Sequence, residues 1–400
     1  MNLDKITNDV INDTRKFVDK FDERLAGTNK VLLAADSLYE EANKYSDNAY
    51  KEDFKINKGA FLGWINLIVI LYTLGVLFIY LNLAYITLIL AITSLLVLYF
   101  QFIRYMKVID FLFKKKVARN VYGVIEPKNE VKKQVIISGH HDSAPIFNFF
   151  VHQPKLYNLR VTGSISFVFI ALILSTLNLL IKNNLLFLIT KITLSLGLVL
   201  ILQLWFFRSK KGTPGAGDNM ASTMIAFNLG KYYYGLKNTD KELNNTRIIF
   251  ASFDAEEEGL RGARAFVNKH KEELLKTKTY LLNIECLYDA DSLFFLTSDI
   301  NNTVKLSESL VDKLIKIGKE HNISLEKKDI AVLTGGTDAG EFGKIGVEAT
   351  TIMGMPWTNN NRNTAYHTLN DTTDKVSVPA VKNTILIYSN FINELDKENV

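Results

Sequence analysis

Five places in the sequence put imidazoles or carboxylates where apolar runs end. The run Val135–Ser138 leads into Gly139-His140-His141-Asp142-Ser143. In a His-x-Asp pair of this kind the imidazole of His140 can bind a metal while the Asp142 carboxylate buttresses the ring. Pro214-Gly-Ala-Gly217-Asp218-Asn219 is a glycine-rich turn that presents one acid ahead of a helix. Phe253-Asp-Ala-Glu256-Glu257-Glu258 ends an apolar strand with adjacent acids, Asn283-Ile-Glu285-Cys286 ends another, and Tyr366-His367 is followed by Asp371. Singly, each has an ordinary explanation: a satisfied strand-end histidine (His141 included), a solvated acidic face, or turn caps at Asp254 and Asp338. Gly335-Gly336-Thr337-Asp338 lacks the lysine of a phosphate loop and reads as a tight turn. Together they supply two imidazoles and hard carboxylate oxygens without thiolates, a donor set suited to zinc, with manganese or cobalt as substitutes, in a site that keeps a position open for water. Three metal-binding carboxylates are too many for one zinc with two histidines, so the count favours two ions.

The elements that must position these residues follow from periodicity. Leu3, Ile6, Val10, Ile11, Phe17, Val18, Phe21 and Leu25 recur at helical steps, a break falls at Gly27, and a second helix runs over about 30–45. Strands are predicted near 53–56, at 117–125 and at 135–138. After Arg208, strands at 247–253, 280–286, 292–296 and 349–353 alternate with helices after Asp218, after Gly259, over 304–321 and over 378–395. That alternation predicts an α/β fold with a largely parallel sheet covered by helices on both faces. In such sheets, sites gather at the carboxyl ends of the strands.

The chain is also unusually apolar, with 48% hydrophobic residues over 400 positions. The excess sits in Phe61–Tyr80, Leu83–Phe102, Ser164–Ile181 and Leu185–Phe207, each long enough as a helix to span a bilayer core of about 30 Å. Only Lys191 intrudes on the last. The expected organisation is N-terminal helices and a first strand (1–60), a transmembrane hairpin (61–103), a continued soluble domain (104–163), a second hairpin (164–207) and the remainder of the soluble domain (208–400). Basic residues flank the spans on the side of the long segments, whereas the tight turns carry one lysine, so the soluble domain is expected on the cytoplasmic face. The single cysteine, Cys286, excludes an internal disulfide and fits a reducing compartment. The first 25 residues are charged and lack an apolar core, so no cleavable signal peptide is expected. A net charge of +5 gives no reason to expect nucleic acid as a partner; the oligomeric state is not encoded in any motif.

The order and context of the motifs resemble the co-catalytic dizinc aminopeptidases, the family of bacterial leucyl aminopeptidases and aminopeptidase Y. Arg24-Leu-Ala-Gly27-Thr28 looks like that family's Arg-x-Ala-Gly-Ser/Thr segment, Val117-Ala-Arg-Asn120 like the strand before its metal strand, and Thr337-Asp338 through Phe342 like its Ser-Asp-His-x-x-Phe stretch. The resemblance implies a zinc-exopeptidase-type α/β/α sandwich interrupted by the four membrane helices. It also implies two Zn2+ ions, one held by His140 and Glu285, the other by Glu257 and His367, with Asp218 bridging. Glu256 would be the general base and Asp142 would act beside it, on peptide substrates with a free amino terminus. The bond between Asp218 and Asn219 would be cis. Glu285 stands where aspartate is usual, Gly217 where aspartate is common, and Ala339 in place of the histidine of Ser-Asp-His. The 78 residues between His140 and Asp218 exceed the short loop the family needs, and the second hairpin accounts for the surplus.

Other readings share parts of the pattern. The aminoacylase and carboxypeptidase branch has the same ligand order, but the 82 residues between Glu285 and His367 leave little room for its lid domain. A single-zinc glutaminyl cyclase fits less well, since both histidines and the general-base pair are present together with all bridging positions. A catalytically inactive membrane receptor on the same scaffold would typically have lost ligands, and a transporter would carry more intramembrane charge than Lys191.

Overall fold

The computed structural model describes residues 1–356 and 364–398. The chain divides into two compact units, one of Met1–Ile56, Lys115–Ile146 and Lys211–Val400, the other of Asn57–Lys114 and Phe147–Lys210. Its longer helices are α1 (Leu3–Phe21), α2 (Asn29–Lys44), α3 (Gly63–Tyr80), α4 (Ala84–Val97), α5 (Tyr157–Leu180), α6 (Asn184–Ile201), α7 (Ala221–Tyr234), α8 (Arg261–Lys276), α9 (Glu308–Glu320) and α10 (Val378–Lys397).

The first unit is built on an eight-stranded sheet. Its strands are β1 (Asn48–Asn57), β2 (Lys115–Ile125), β3 (Lys133–His140), β4 (Thr246–Phe253), β5 (Lys278–Leu287), β6 (Leu293–Leu296), β7 (Glu326–Lys328) and β8 (Glu348–Gly354). They lie in the order β1-β2-β4-β3-β5-β8-β6-β7. The four central strands β4, β3, β5 and β8 run parallel, and β2 and β6 turn antiparallel on either side of them. Every residue of β3 is buried, as a strand covered on both faces requires. One face carries Ile137, Phe250, Leu282, Ile284 and Ile352 against α1, α2, α7 and α10. On the other, Phe253, Phe266 of α8 and Phe342 form an aromatic cluster.

The α/β class with a mostly parallel sheet is thus as the sequence predicts, with local corrections. Helix α9 starts at Glu308, not Val304, because Ser307 caps it by accepting from the Leu310 N–H, while Val304–Lys305 pairs antiparallel with Ser298–Asp299. β7 is a charged Glu-Lys-Lys edge strand with no apolar alternation to reveal it.

In the second unit, four helices are long and apolar enough to cross a membrane: Gly63–Tyr80, Ala84–Ile103, Pro154–Leu180 and Asn184–Phe206. The third begins well before the apolar run that marks it in the sequence. Some polar groups pair across these helices: Thr87 Oγ1 donates to the Gly75 carbonyl (2.8 Å), and the Tyr72 hydroxyl to that of Leu194 (3.0 Å).

Candidate metal centre

β3 delivers His140 at its carboxyl end, opposite Phe253 of β4. The strand can approach α7 closely because residue 139 is glycine: a Cβ there would lie 2.7 Å from the Thr223 backbone nitrogen. Thr223 Oγ1 also donates to the His140 carbonyl (3.0 Å). Beyond the strand, Asp142 is fully buried, and its Oδ1 lies 3.3 Å from His140 Nδ1. The same carboxylate accepts the backbone N–H of Glu256 on Oδ1 (3.1 Å) and that of Glu257 on Oδ2 (3.2 Å). His140 Nδ1 also lies 3.0 Å from the Asp142 backbone carbonyl, so residue 142 sets the imidazole ring through its carbonyl and carboxylate, and the turn bearing the paired glutamates through its carboxylate.

Asp218 lies in a non-helical kink of the segment Ala216–Met220, and its peptide bond to Asn219 is cis. Asp371 accepts the N–H groups of Gly217 (2.7 Å) and Asp218 (3.2 Å), while Asn219 Nδ2 donates to the Ile284 carbonyl (2.8 Å). Burial and the charge of Asp218 push the Asp371 carboxyl up to about 7, against the pull of those two N–H groups. Arg24, fully buried, ties the metal loops together: its guanidinium donates to the carbonyls of Asp22, His141 (2.8 Å), Pro214 (2.8 Å) and Gly215 (2.9 Å). Burial lowers that guanidinium to about 10, with Asp371, Asp142 and Asp22 opposing the shift. Glu285 projects from β5, with Asn283 Nδ2 3.2 Å from its Oε1. His367 sits in a left-handed turn (φ 53°), stacked on Tyr366 with ring centroids 3.9 Å apart.

These side chains converge. His140 Nε2 lies 3.3 Å from Asp218 Oδ1, 3.5 Å from Glu285 Oε2 and 3.8 Å from Glu256 Oε2. On the other side of Asp218, His367 Nε2 is 3.1 Å from Asp218 Oδ2 and 3.5 Å from Glu257 Oε1. His140, Asp218 and Glu285 form one group able to hold a metal ion, and Asp218, Glu257 and His367 another, with ligand atoms within 4.8 Å of one another. Two ligand atoms bound at about 2.1 Å in near-tetrahedral geometry sit about 3.4 Å apart, matching these separations better than hydrogen bonds would.

The electrostatics agree. Burial raises the carboxyls of Glu256, Glu257 and Glu285; His140 or His367 opposes, while neighbouring carboxylates push further upward. Asp218 is lowered despite its burial, because His140 and His367 both face it. Such a concentration of buried acids calls for cations.

His141 joins neither group. Its Nδ1 meets Ser252 Oγ at 2.9 Å, and burial lowers it to about 3, leaving it neutral. Asp254 accepts the Arg119 N–H (2.8 Å). Asp338 departs from the turn-cap expectation: it is the N-cap residue of the short helix Ala339–Gly343 but makes no cap bond. Its two carboxylate oxygens, fully buried, have no hydrogen-bond partner among the described residues. Sequence reasoning assigned no role to Arg24, Asn283 or Asp371; only the carbonyls and N–H groups they meet reveal one.

A mostly parallel α/β sheet thus brings acid–imidazole groups together that could hold metal ions. Residues 205–392 match peptidase family M28, a span that includes Asp218, Glu256, Glu257, Glu285 and His367 but not His140 or Asp142. The matching segment, just under half of the chain, is thus similar to a zinc-dependent peptidase family. Among solved structures, it is similar to the Legionella pneumophila LapA aminopeptidase (TM-score 0.56, 13% identity, covering 100% of this chain and 74% of that one). It is also similar to the aminopeptidase of Aneurinibacillus sp. strain AM-1 (0.55, 13%, 96% and 94%). A glutaminyl cyclase from an Acidobacteriales bacterium matches equally well (0.57, 14%, 98% and 95%). At such identities these likenesses speak for the fold alone. A comparison with curated proteins gave no match.

Proposed function

We propose that the protein is a membrane-bound dizinc aminopeptidase, one peptidase domain interrupted by two transmembrane hairpins at 61–103 and 164–207. The observation that carries this reading is the pair of acid–imidazole triads sharing Asp218. His140 and Glu285 would hold one ion, Glu257 and His367 the other, and Asp218 would bridge. Two divalent ions held there would supply Lewis acidity to the attacking water and the scissile carbonyl. Manganese or cobalt would suit the same donors.

Glu256 is the general base in this reading. Its carboxylate lies beside His140, and its backbone is anchored by Asp142. It takes the proton of the attacking water and passes it to the leaving amine, so that the same group acts as base and then acid. His140 is kept in register by Asp142, and Glu285 by Asn283. The substrate is a peptide with a free amino terminus. The basic flanks of the spans favour a cytoplasmic peptidase domain.

A glutaminyl cyclase is the second reading, favoured by the structural likeness to cyclases. The presence of both histidines and two complete triads argues for the peptidase. The test uses the full chain in detergent or nanodiscs. Elemental analysis is expected to return two metal equivalents, and peptides with a free amino terminus are expected to be cleaved while N-acetylated ones are spared. Glu256→Gln should lower kcat by about 10²- to 10⁴-fold with both metals retained. Full activity in that variant, or cyclisation of amino-terminal glutamine without peptide cleavage, would reject the assignment.

A further inference from the structure

Lys191 is the one charge in the apolar length of α6, and the peptidase reading gives it no task. Its ammonium reaches out to Asn82 Oδ1 (3.0 Å), in the turn of the first hairpin, and lies 5.7 Å from the Tyr80 ring. Lys191 and Asn82, together with Lys182 and Asn178, border a cavity of about 600 Å3 within the helical unit, inside the range of small-ligand sites.

Asn178 makes it a built site. The residue is 3% exposed, near the end of α5. Its amide nitrogen donates to the Leu174 carbonyl (2.8 Å) and to Thr190 Oγ1 (2.6 Å), whose own hydroxyl donates to Leu186. Those bonds fix the orientation of the amide, and Oδ1 is left buried with no hydrogen-bond partner among the described residues. A buried acceptor of this kind calls for a donor. No acidic residue borders the cavity. The only acid in the whole helical unit, Asp110, is engaged by Gln101 Nε2 (2.9 Å). The occupant therefore needs a net negative charge for the two lysines and a hydroxyl for Asn178. Leu179 and Phe187 add an apolar wall, which a lipid covers and a free phosphate does not.

We propose that this end of the helical unit binds the headgroup of an anionic glycerophospholipid of the phosphatidylglycerol type, with its phosphate on Lys182 and Lys191 and a glycerol hydroxyl on Asn178. The inference rests on the reading of these helices as membrane spans. The full chain, purified in detergent, is titrated with dioleoyl phosphatidylglycerol or dioleoyl phosphatidylcholine, and retained lipid is counted by native mass spectrometry; flotation with liposomes is run in parallel.

The expected result is preferential retention of phosphatidylglycerol. Affinity should fall about fivefold for Lys182→Gln and about twenty-fivefold for Lys182→Gln with Lys191→Gln. Asn178→Ala should weaken binding about three- to tenfold, while peptidase activity stays unchanged. Equal retention of phosphatidylcholine, an unaffected double variant, or displacement of the lipid by millimolar inorganic phosphate would overturn the headgroup site while leaving the membrane reading intact. Failure of the chain to float with liposomes would overturn both.

Discussion

Asp142→Asn tests the logic of the centre most directly, because it changes one atom of a group that is not itself placed as a ligand. In the native site the backbone carbonyl of residue 142 lies 3.0 Å from His140 Nδ1 and is untouched by the change, while Oδ1 lies 3.3 Å from that nitrogen and accepts the Glu256 N–H (3.1 Å), and Oδ2 accepts the Glu257 N–H (3.2 Å). An amide supplies one oxygen and turns its NH2 toward a remaining N–H or the ring nitrogen, so at least one acceptor is lost and two donors face each other. Losing one charge-assisted bond costs about 1.5–3 kcal/mol. If that cost falls on the arrangement of His140, Glu256 and Glu257, metal affinity drops about ten- to a hundredfold, or about 1.4–2.8 kcal/mol. The same range is typical for groups that orient a ligating histidine. Zinc affinity would be measured by chelator competition on the full chain, with circular dichroism to show that the fold persists. A variant that binds zinc within about twofold of wild type would refute the idea that Asp142 organises the centre.

Other substitutions probe neighbouring parts. Arg24→Met strands four carbonyls in a buried site, and is expected to destabilise the peptidase unit by about 3–5 kcal/mol. Arg24→Lys should recover part of this, since a lysine cannot match the guanidinium fork; an Arg24→Met melting curve superimposable on wild type would contradict it. Gly217→Ala would bring a Cβ within 2.2 Å of the Tyr288 ring, adding about 1–3 kcal/mol of strain next to Asp218. Activity should fall, and Tyr288→Ala in the same chain should restore some of it, whereas no rescue would place the damage elsewhere. Glu52 is pushed up by burial, but bonds from His270, Lys269 and Tyr122 hold it at about 2. Because its folded value lies below the ordinary one near 4.3, its contribution to stability is present at neutral pH and lost as the pH falls from about 4 toward 2. The difference in melting temperature between wild type and Glu52→Gln should shrink over that window, and a constant difference would count against the cluster.

Much of this protein is legible in its sequence because the signals are local. Helical and strand periodicities mark α1, α2, β3, β4 and β5, since each buries one face or a whole run. The four apolar helices announce themselves by length and composition. His140, Glu256, Glu257 and Glu285 are visible because polar groups at the ends of apolar strands stand out against their surroundings, whereas Asp218, in a glycine-rich turn, and His367, in a turn of its own, stand out only through the order of the motifs. Less was readable where the pattern is weak: the charged edge strand β7 has no apolar alternation, and the start of α9 hinges on one serine hydroxyl meeting one N–H.

What the sequence alone determined was the list of chemical groups and the strands that carry them. The tertiary structure decided which of those groups meet, because distance between residues far apart in the chain depends on strand order and on the path of every turn between them. Nothing in the spacing of Asp142 tells that it accepts the N–H groups of residues 256 and 257, or in that of Arg24 that it gathers carbonyls from residues 141, 214 and 215. Nor does it tell that Asp338 leaves its cap unmade while Asp371 holds the backbone of Asp218. Such bonds join side chains to peptide groups, which every residue possesses, so residue identity marks the donor or acceptor side chain but not its partner; the fold alone selects that.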